Sequence, residues 1–186
     1  DYGLEECQPG QYRSVIVCRV DDEAQGFDDF VNKTAAINSD DSYSGYGALL
    51  ATVNPFVEKG KFFEKTIICG SHRQSMKAIA NKQADVAAID EVVWNLAFDY
   101  EPEVEALRVI GKTQPMPAPP LITNWSNNSL RHVLNEAIEE AVSLLDETTK
   151  SALQLYGYKH MDLVDYEPIL RQLNEIKDPQ KILGID

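Results

Sequence analysis

The sequence predicts an α/β protein with mainly parallel sheets. Three observations carry that expectation. Short β-rich runs alternate with helical stretches from residue 12 to residue 111, in the order β-α-β-α-β-α-β-α-β. One of the runs, DVAAI, is apolar without alternation, as in a strand covered on both faces. The three most polar turns each lie just past the C-terminal end of a strand, so they share one sheet edge.

The elements follow in order. Tyr12–Val20 reads as a strand, Gly26–Asn32 as a short helix, and Thr34–Asn38 as a strand that runs into a polar loop, Asn38–Ser44. Gly45–Val53 reads as a helix and Lys65–Cys69 as a strand. Arg73–Lys82 is a helix with Met76, Ile79 and Ala80 on one face. Asp85–Ile89 is the buried strand. Glu91–Phe98 is a helix with Val92, Val93, Leu96 and Ala97 inward, and Ala106–Ile110 is the next strand. Thr113–Pro120 carries four prolines in eight residues, a composition break that suits a hinge or crossing segment. The chain then turns helical. Ser129–Leu144 places Leu130, Val133, Leu134, Ala137, Ile138, Ala141 and Val142 on one stripe, with Asn127 or Asn128 as its cap. Asp146 opens a helix that ends at Gly157, and Asp165–Ile176 is another.

Composition narrows the function classes. With 17 basic and 30 acidic side chains the net charge is −13, and no basic stripe offers itself to a nucleic-acid backbone. No apolar run approaches the ~18 residues needed to span a bilayer. No secretion signal opens the chain, which begins Asp1-Tyr2-Gly3-Leu4, as a mature or truncated protein does. Of three cysteines, Cys18 and Cys69 lie in apolar runs and read as small core residues, whereas Cys7 lies in a polar stretch. None has zinc-like spacing, no histidines pair at i, i+4, and no cofactor is implied.

Three turns could carry chemistry. In the first, Asn38 to Gly47, the hydroxyls of Ser42 and Ser44 and the bare backbone at Gly45 lie at a helix N-terminus, where free N–H groups and the dipole favour an anion. An ordinary capped βα turn would look the same. In the second, Ser71 caps a helix and His72 either donates to a ligand oxygen or is a surface residue beside the cap. In the third, Asp90 ends a buried strand, where it caps the next helix, reads a ligand, or does both. A Ser44/His72/Asp90 triad can be drawn, but no strained nucleophile turn accompanies it, so catalysis is not expected.

Taken in order, YRSVIVCRVDD, AAINSDDSYSGYGAL, IICGSHRQSMKAIANKQADVAAID and LRVIGKTQPMPAPPLIT resemble the substrate-binding components of phosphate/phosphonate-type ABC transporters, within the broader phosphonate/sulfonate/transferrin-like group. The resemblance covers residues 10–125. It implies a type II periplasmic-binding fold: two α/β lobes, a ligand cleft between them, and a hinge of two crossing strands, Ser14–Val20 and Leu107–Thr113. Residues 23–111 would form lobe 2, and residues 1–22 with 112–186 the remainder of lobe 1. A further N-terminal segment usual in the family is missing, and Cys7 would pair with a cysteine there. By position, Ser42, Ser44 and Gly45 match the family's oxyanion-binding turn, His72 its ligand-contacting histidine, and Asp90 an acidic residue that reads a protonated oxygen or an amine. The crossing segment Gln114-Pro115-Met116-Pro117 has no acidic residue, which tells against an aminophosphonate.

The implied function is capture of a small oxyanion in the periplasm, or outside the cell on a membrane anchor, for delivery to an ABC permease and its ATPase. A sheet edge left open in lobe 1 would invite a homodimer. Two other classes share the fold: a sensor domain of a signalling protein, and a thiamine-precursor binding protein or enzyme.

Overall fold

A computed structural model of the chain describes residues 1–57, 60–124 and 128–185. The chain divides into two compact units. Unit 1 comprises Asp1–Tyr12 and Pro115–Ile169, and unit 2 comprises Arg13–Gln114 and Leu170–Asp186.

Unit 2 contains a five-stranded sheet. Its strands are β2 (Ser14–Arg19), β3 (Thr34–Ile37), β4 (Lys65–Ile68), β5 (Val86–Asp90) and β6 (Leu107–Lys112), in the order β4-β3-β5-β2-β6. β3 pairs in parallel with β4 and β5, and β2 pairs antiparallel with β5 and β6. All strands except β2 therefore point the same way, the mainly parallel arrangement that the alternation predicts.

The central strands are apolar between their ends (residues 15–18, 35–37 and 86–89) because both faces are covered. With a side-chain period of two, Val15 and Val17 enter one core and Ile16 and Cys18 the other. β5 divides likewise, Val86 and Ala88 to one side, Ala87 and Ile89 to the other. One core is closed by α2 (His72–Ala80) and α3 (Glu91–Tyr100), through Met76, Ile79, Trp94 and Ala97. The other is closed by α1 (Ala48–Val53), by Phe30, Phe62 and Phe63, and by the C-terminal residues Ile176, Ile182 and Leu183.

Several expectations shift. The helix expected over 45–53 is a π-helical turn, Tyr43–Gly47, leading into α1. In α3 the buried residues are Glu91, Trp94 and Ala97, not Val92, Val93 and Leu96, which are half-buried. An ion pair described below draws Glu91 inward, and the i, i+3, i+6 stripe follows it. Cys18 is fully buried, but Cys69 is only half-buried because it follows the edge strand β4. A C-terminal helix that periodicity did not reveal (Pro179–Leu183) places Ile182 and Leu183 in the core. Residues 170–186 thus belong to unit 2.

Unit 1 has a two-stranded ladder, β1 (Gln11–Tyr12) against β7 (Met116–Pro117). Two helices follow, α4 (Asn128–Ser143) and α5 (Glu147–Leu153), the second capped by Asp146 as its spacing predicts. Asn127 and the side chain of Asn128, the expected caps of α4, lie outside the described residues. The stripe on α4 is only partly covered: Leu130 and Val133 are exposed, while Leu134, Ile138 and Val142 are half-buried. α5 ends at Gln154 in the left-handed region, earlier than the expected Gly157.

Candidate functional site

The C-terminal end of β3 sets the site. Asn38 follows β3 directly, and its Nδ2 donates to Ser42 Oγ at 2.9 Å. Ser42 is extended and caps the π-helical turn: its Oγ accepts the Gly45 N–H at 3.2 Å. Its carbonyl accepts from both Tyr46 and Gly47, the wider loop that distinguishes a π-helical turn from an α-helix. Gly45 is required by space rather than by a special φ. A Cβ there would stand 1.9 Å from Asn38 Oδ1 and 3.2 Å from His72 Cε1.

Ser44 is held from two sides. Its carbonyl accepts from Ser14 Oγ of β2 at 2.9 Å, and its Oγ lies 2.8 Å from His72 Nε2. The Ser42 and Ser44 hydroxyls are 3.4 Å apart. His72 opens α2, and Ser71 caps that helix by accepting the Gln74 N–H. Burial lowers the His72 pKa to about 4, against a smaller opposing pull from the Ala88 backbone. The ring is therefore neutral at physiological pH. Four of the five candidate residues, Ser42, Ser44, Gly45 and His72, thus form one bonded or touching cluster.

Asp90 stands apart from that chain of bonds. It ends β5 opposite Ser14, and its Oδ1 accepts the Val92 and Val93 N–H groups at 2.8 and 3.3 Å. Its pKa is raised: burial is the largest cause, the two N–H bonds pull the other way, and the neighbouring Glu91 charge adds to the rise. No hydrogen bond joins Asp90 to His72 among the described residues, so the drawn triad is not assembled. No group of three or more metal-ligating side chains occurs among the described residues either.

Sequence reasoning missed three supporting residues. Asn38 orients Ser42, Ser14 anchors Ser44, and Glu91 pairs with Arg13 at 2.5 Å and with Lys112 at 2.7 Å beside Asp90. Asn38 had one signal, its place at a strand end. Ser14 and Glu91 act across the sheet and had none. The clearest cavities of unit 2 lie elsewhere. One of about 360 Å³ is lined by Lys65, Cys69 and Gln74, and one of about 240 Å³ by Phe27, Tyr43, Phe56 and Gln172. The Ser42–Ser44–His72 cluster lines neither of them.

A sheet of this topology, with hydroxyls and a histidine gathered at its strand ends, defines a periplasmic-binding-type α/β protein. Residues 5–168 match the family of periplasmic substrate-binding proteins of phosphonate ABC transporters, and the chain belongs to that family. Among solved structures it is similar to a binding-protein component of an ABC phosphonate transporter from Pseudomonas aeruginosa, with 26% identity and a TM-score of 0.71, covering 90% of this chain and 57% of that one. It is also similar to PhnD1 from Prochlorococcus marinus, solved with methylphosphonate, with 19% identity and a TM-score of 0.68, covering 91% of this chain and 70% of that one. A Xanthomonas citri protein solved with ATP shows 15% identity and a TM-score of 0.66, covering 90% and 68%. The chain thus spans 57% to 70% of the length of these three structures. Curated protein sequences give no match. No described helix is long and apolar enough to cross a membrane.

Proposed function

We propose that the chain is the solute-binding component of an ABC uptake transporter and that it takes a small tetrahedral oxyanion: phosphate, phosphite or a phosphonate. The observation that carries this reading is the cluster Ser42, Ser44, Gly45 and His72, a concentration of small polar groups at two helix starts. Ser42 and Ser44 are the hydroxyl donors, and Gly45 leaves the room that the Asn38 amide fills behind Ser42. His72 buttresses Ser44 as a neutral ring.

Asp90 sets the protonation state that the ligand must have. A carboxylate only accepts, so it repels a full dianion and accepts a hydrogen bond from a P–OH group that keeps its proton. With His72 neutral, no cationic side chain in the cluster offsets that repulsion. The reading therefore favours a ligand that keeps an acidic proton. Delivery to a permease and its ATPase, and an anchor at the membrane, belong to the same reading. It requires no cofactor.

A thermal-shift panel with phosphate, phosphite, methylphosphonate, 2-aminoethylphosphonate and sulfate tests it. A ligand at about 100 times its dissociation constant adds ~2.7 kcal/mol of stability. The expected result is a rise in Tm with one phosphorus oxyanion, absent in Ser44→Ala and His72→Ala proteins that remain folded. A protein whose Tm none of the five moves would remove the oxyanion assignment and leave the family membership.

A further inference from the structure

Ser42 has two lone pairs and one proton, and its neighbours account for both lone pairs. The Asn38 Nδ2 group can only donate, and so can the Gly45 N–H; both point at Ser42 Oγ, at 2.9 and 3.2 Å. The hydroxyl proton is thus turned away from both. On that side the nearest acceptor is Ser44 Oγ, at a long 3.4 Å. A proton held so loosely is free to swing to a better acceptor at little cost. Asn38 is itself fixed: its Oδ1 is buried without a hydrogen-bond partner and sits where a Cβ of residue 45 would be. The glycine and the asparagine therefore form one device, in which the missing side chain lets the amide stand upright against the turn.

We propose that Asn38 is a positioning residue that makes Ser42 an obligatory donor toward the bound oxyanion. The inference rests on the oxyanion reading above and adds the residue that sets the direction of one of its hydrogen bonds. Asn38 does not touch the ligand; it acts through Ser42. An aspartate in its place is nearly the same shape but only accepts. It would take the Ser42 proton for itself and present lone pairs to the anion instead.

The test is a titration of phosphate, phosphite, methylphosphonate and sulfate, followed by calorimetry, into the native protein, Asn38→Asp, Asn38→Ala, Ser42→Ala and the uncharged double variant with alanine at both positions, with folding checked by circular dichroism. Asn38→Asp is expected to weaken the tightest probe at least about tenfold. Because Asn38 works through Ser42, the double variant should bind no more than about twofold more weakly than Ser42→Ala alone. A merely structural role would instead add its loss to that of Ser42→Ala, and that result, or native affinity in Asn38→Asp, would overturn the proposal. A second measurement stands without any ligand. The Asn38 side-chain amide protons, observed by NMR in the free protein, should exchange slowly and lose that protection in Ser42→Ala. If the native protein binds none of the four probes, the oxyanion reading fails. The amide signal then decides the orientation by itself: fast exchange in the native protein refutes it, and slow exchange that depends on Ser42 upholds it.

Discussion

His72, assigned to the proposed site, also bears on stability. Its imidazole is kept neutral by burial, with a pKa lowered to about 4, whereas in the unfolded chain it titrates near the ordinary 6.5. Between those values the unfolded state carries more protons than the folded one. Stability from this group is therefore complete above pH 6.5 and drains away as the pH falls toward 4. The difference corresponds to roughly 3 kcal/mol at most. Urea unfolding of the native protein at pH 7 and pH 4.5 should show that loss, and His72→Gln should lose clearly less between the two pH values. Parallel pH profiles in the two proteins would mean that the ring is not buried neutral. Asp90 shifts in the opposite sense: its pKa is raised, so its contribution is fullest below the unfolded value near 3.8 and lessens as the pH climbs through the folded value. The two effects oppose each other in acid, and the His72 variant separates them.

At the scale of elements, three pieces of unit 2 are tied together at one point. Glu91 begins α3 and is almost fully buried. It accepts from Arg13 at the start of β2 and from Lys112 at the end of β6, and its own N–H donates to the Arg13 carbonyl. Ser14 and Thr113, one residue further on each strand, exchange two more hydrogen bonds: the Ser14 N–H to Thr113 Oγ1 and the Thr113 N–H to the Ser14 carbonyl. Removing one charge of a buried pair leaves the other uncompensated, which costs about 3–5 kcal/mol. Glu91→Gln should therefore unfold at lower urea by about 3 kcal/mol, and an unchanged midpoint would mean that the pair adds nothing net. This tie also marks how far the sequence could be read. The order of strands and helices from 12 to 111 was legible, because apolar runs and turn residues are local signals. So were the turn residues Ser42, Ser44, Gly45 and His72 as a group at one sheet edge. The buried face of α3 was not: periodicity ranked Val92 and Val93 above a glutamate, and nothing local announces a partner 78 residues away. The last helix was missed for the same reason, since Pro179–Leu183 is too short to show a period and is held by the core it completes.

At the scale of the molecule, the two units differ in what holds them. Unit 2 has a sheet with a core on each face, and its central residues Val15, Ile16, Val17 and Cys18 are at most 1% exposed. Burying a side chain of this kind stabilises by about 1.5–3 kcal/mol, and the central strands contain many of them. Unit 1 has two strands of two residues each and few buried apolar side chains, chiefly Leu4, Tyr12 and Met116. Leu121, Ile122, Leu144 and Leu163 in the same unit are more than 70% exposed. Its helices must therefore rely more on their own hydrogen bonds and caps, and helices of this length are marginal on that footing. Local opening should then be far easier in unit 1 than in the sheet of unit 2. Native-state hydrogen exchange measures this directly. Amides of β2, β3 and β5 are expected to exchange last and together, at a free energy close to that of global unfolding. Those of α4 and α5 should exchange at least about 100-fold faster, a gap of roughly 2.7 kcal/mol. Addition of a binding oxyanion should slow exchange in the Tyr43–Gly47 turn and at the start of α2, where the proposed contacts lie. If α4 proved as protected as β5, exposed apolar surface would be a poor guide to stability in this chain, and unit 1 would have to be held by something other than the packing described.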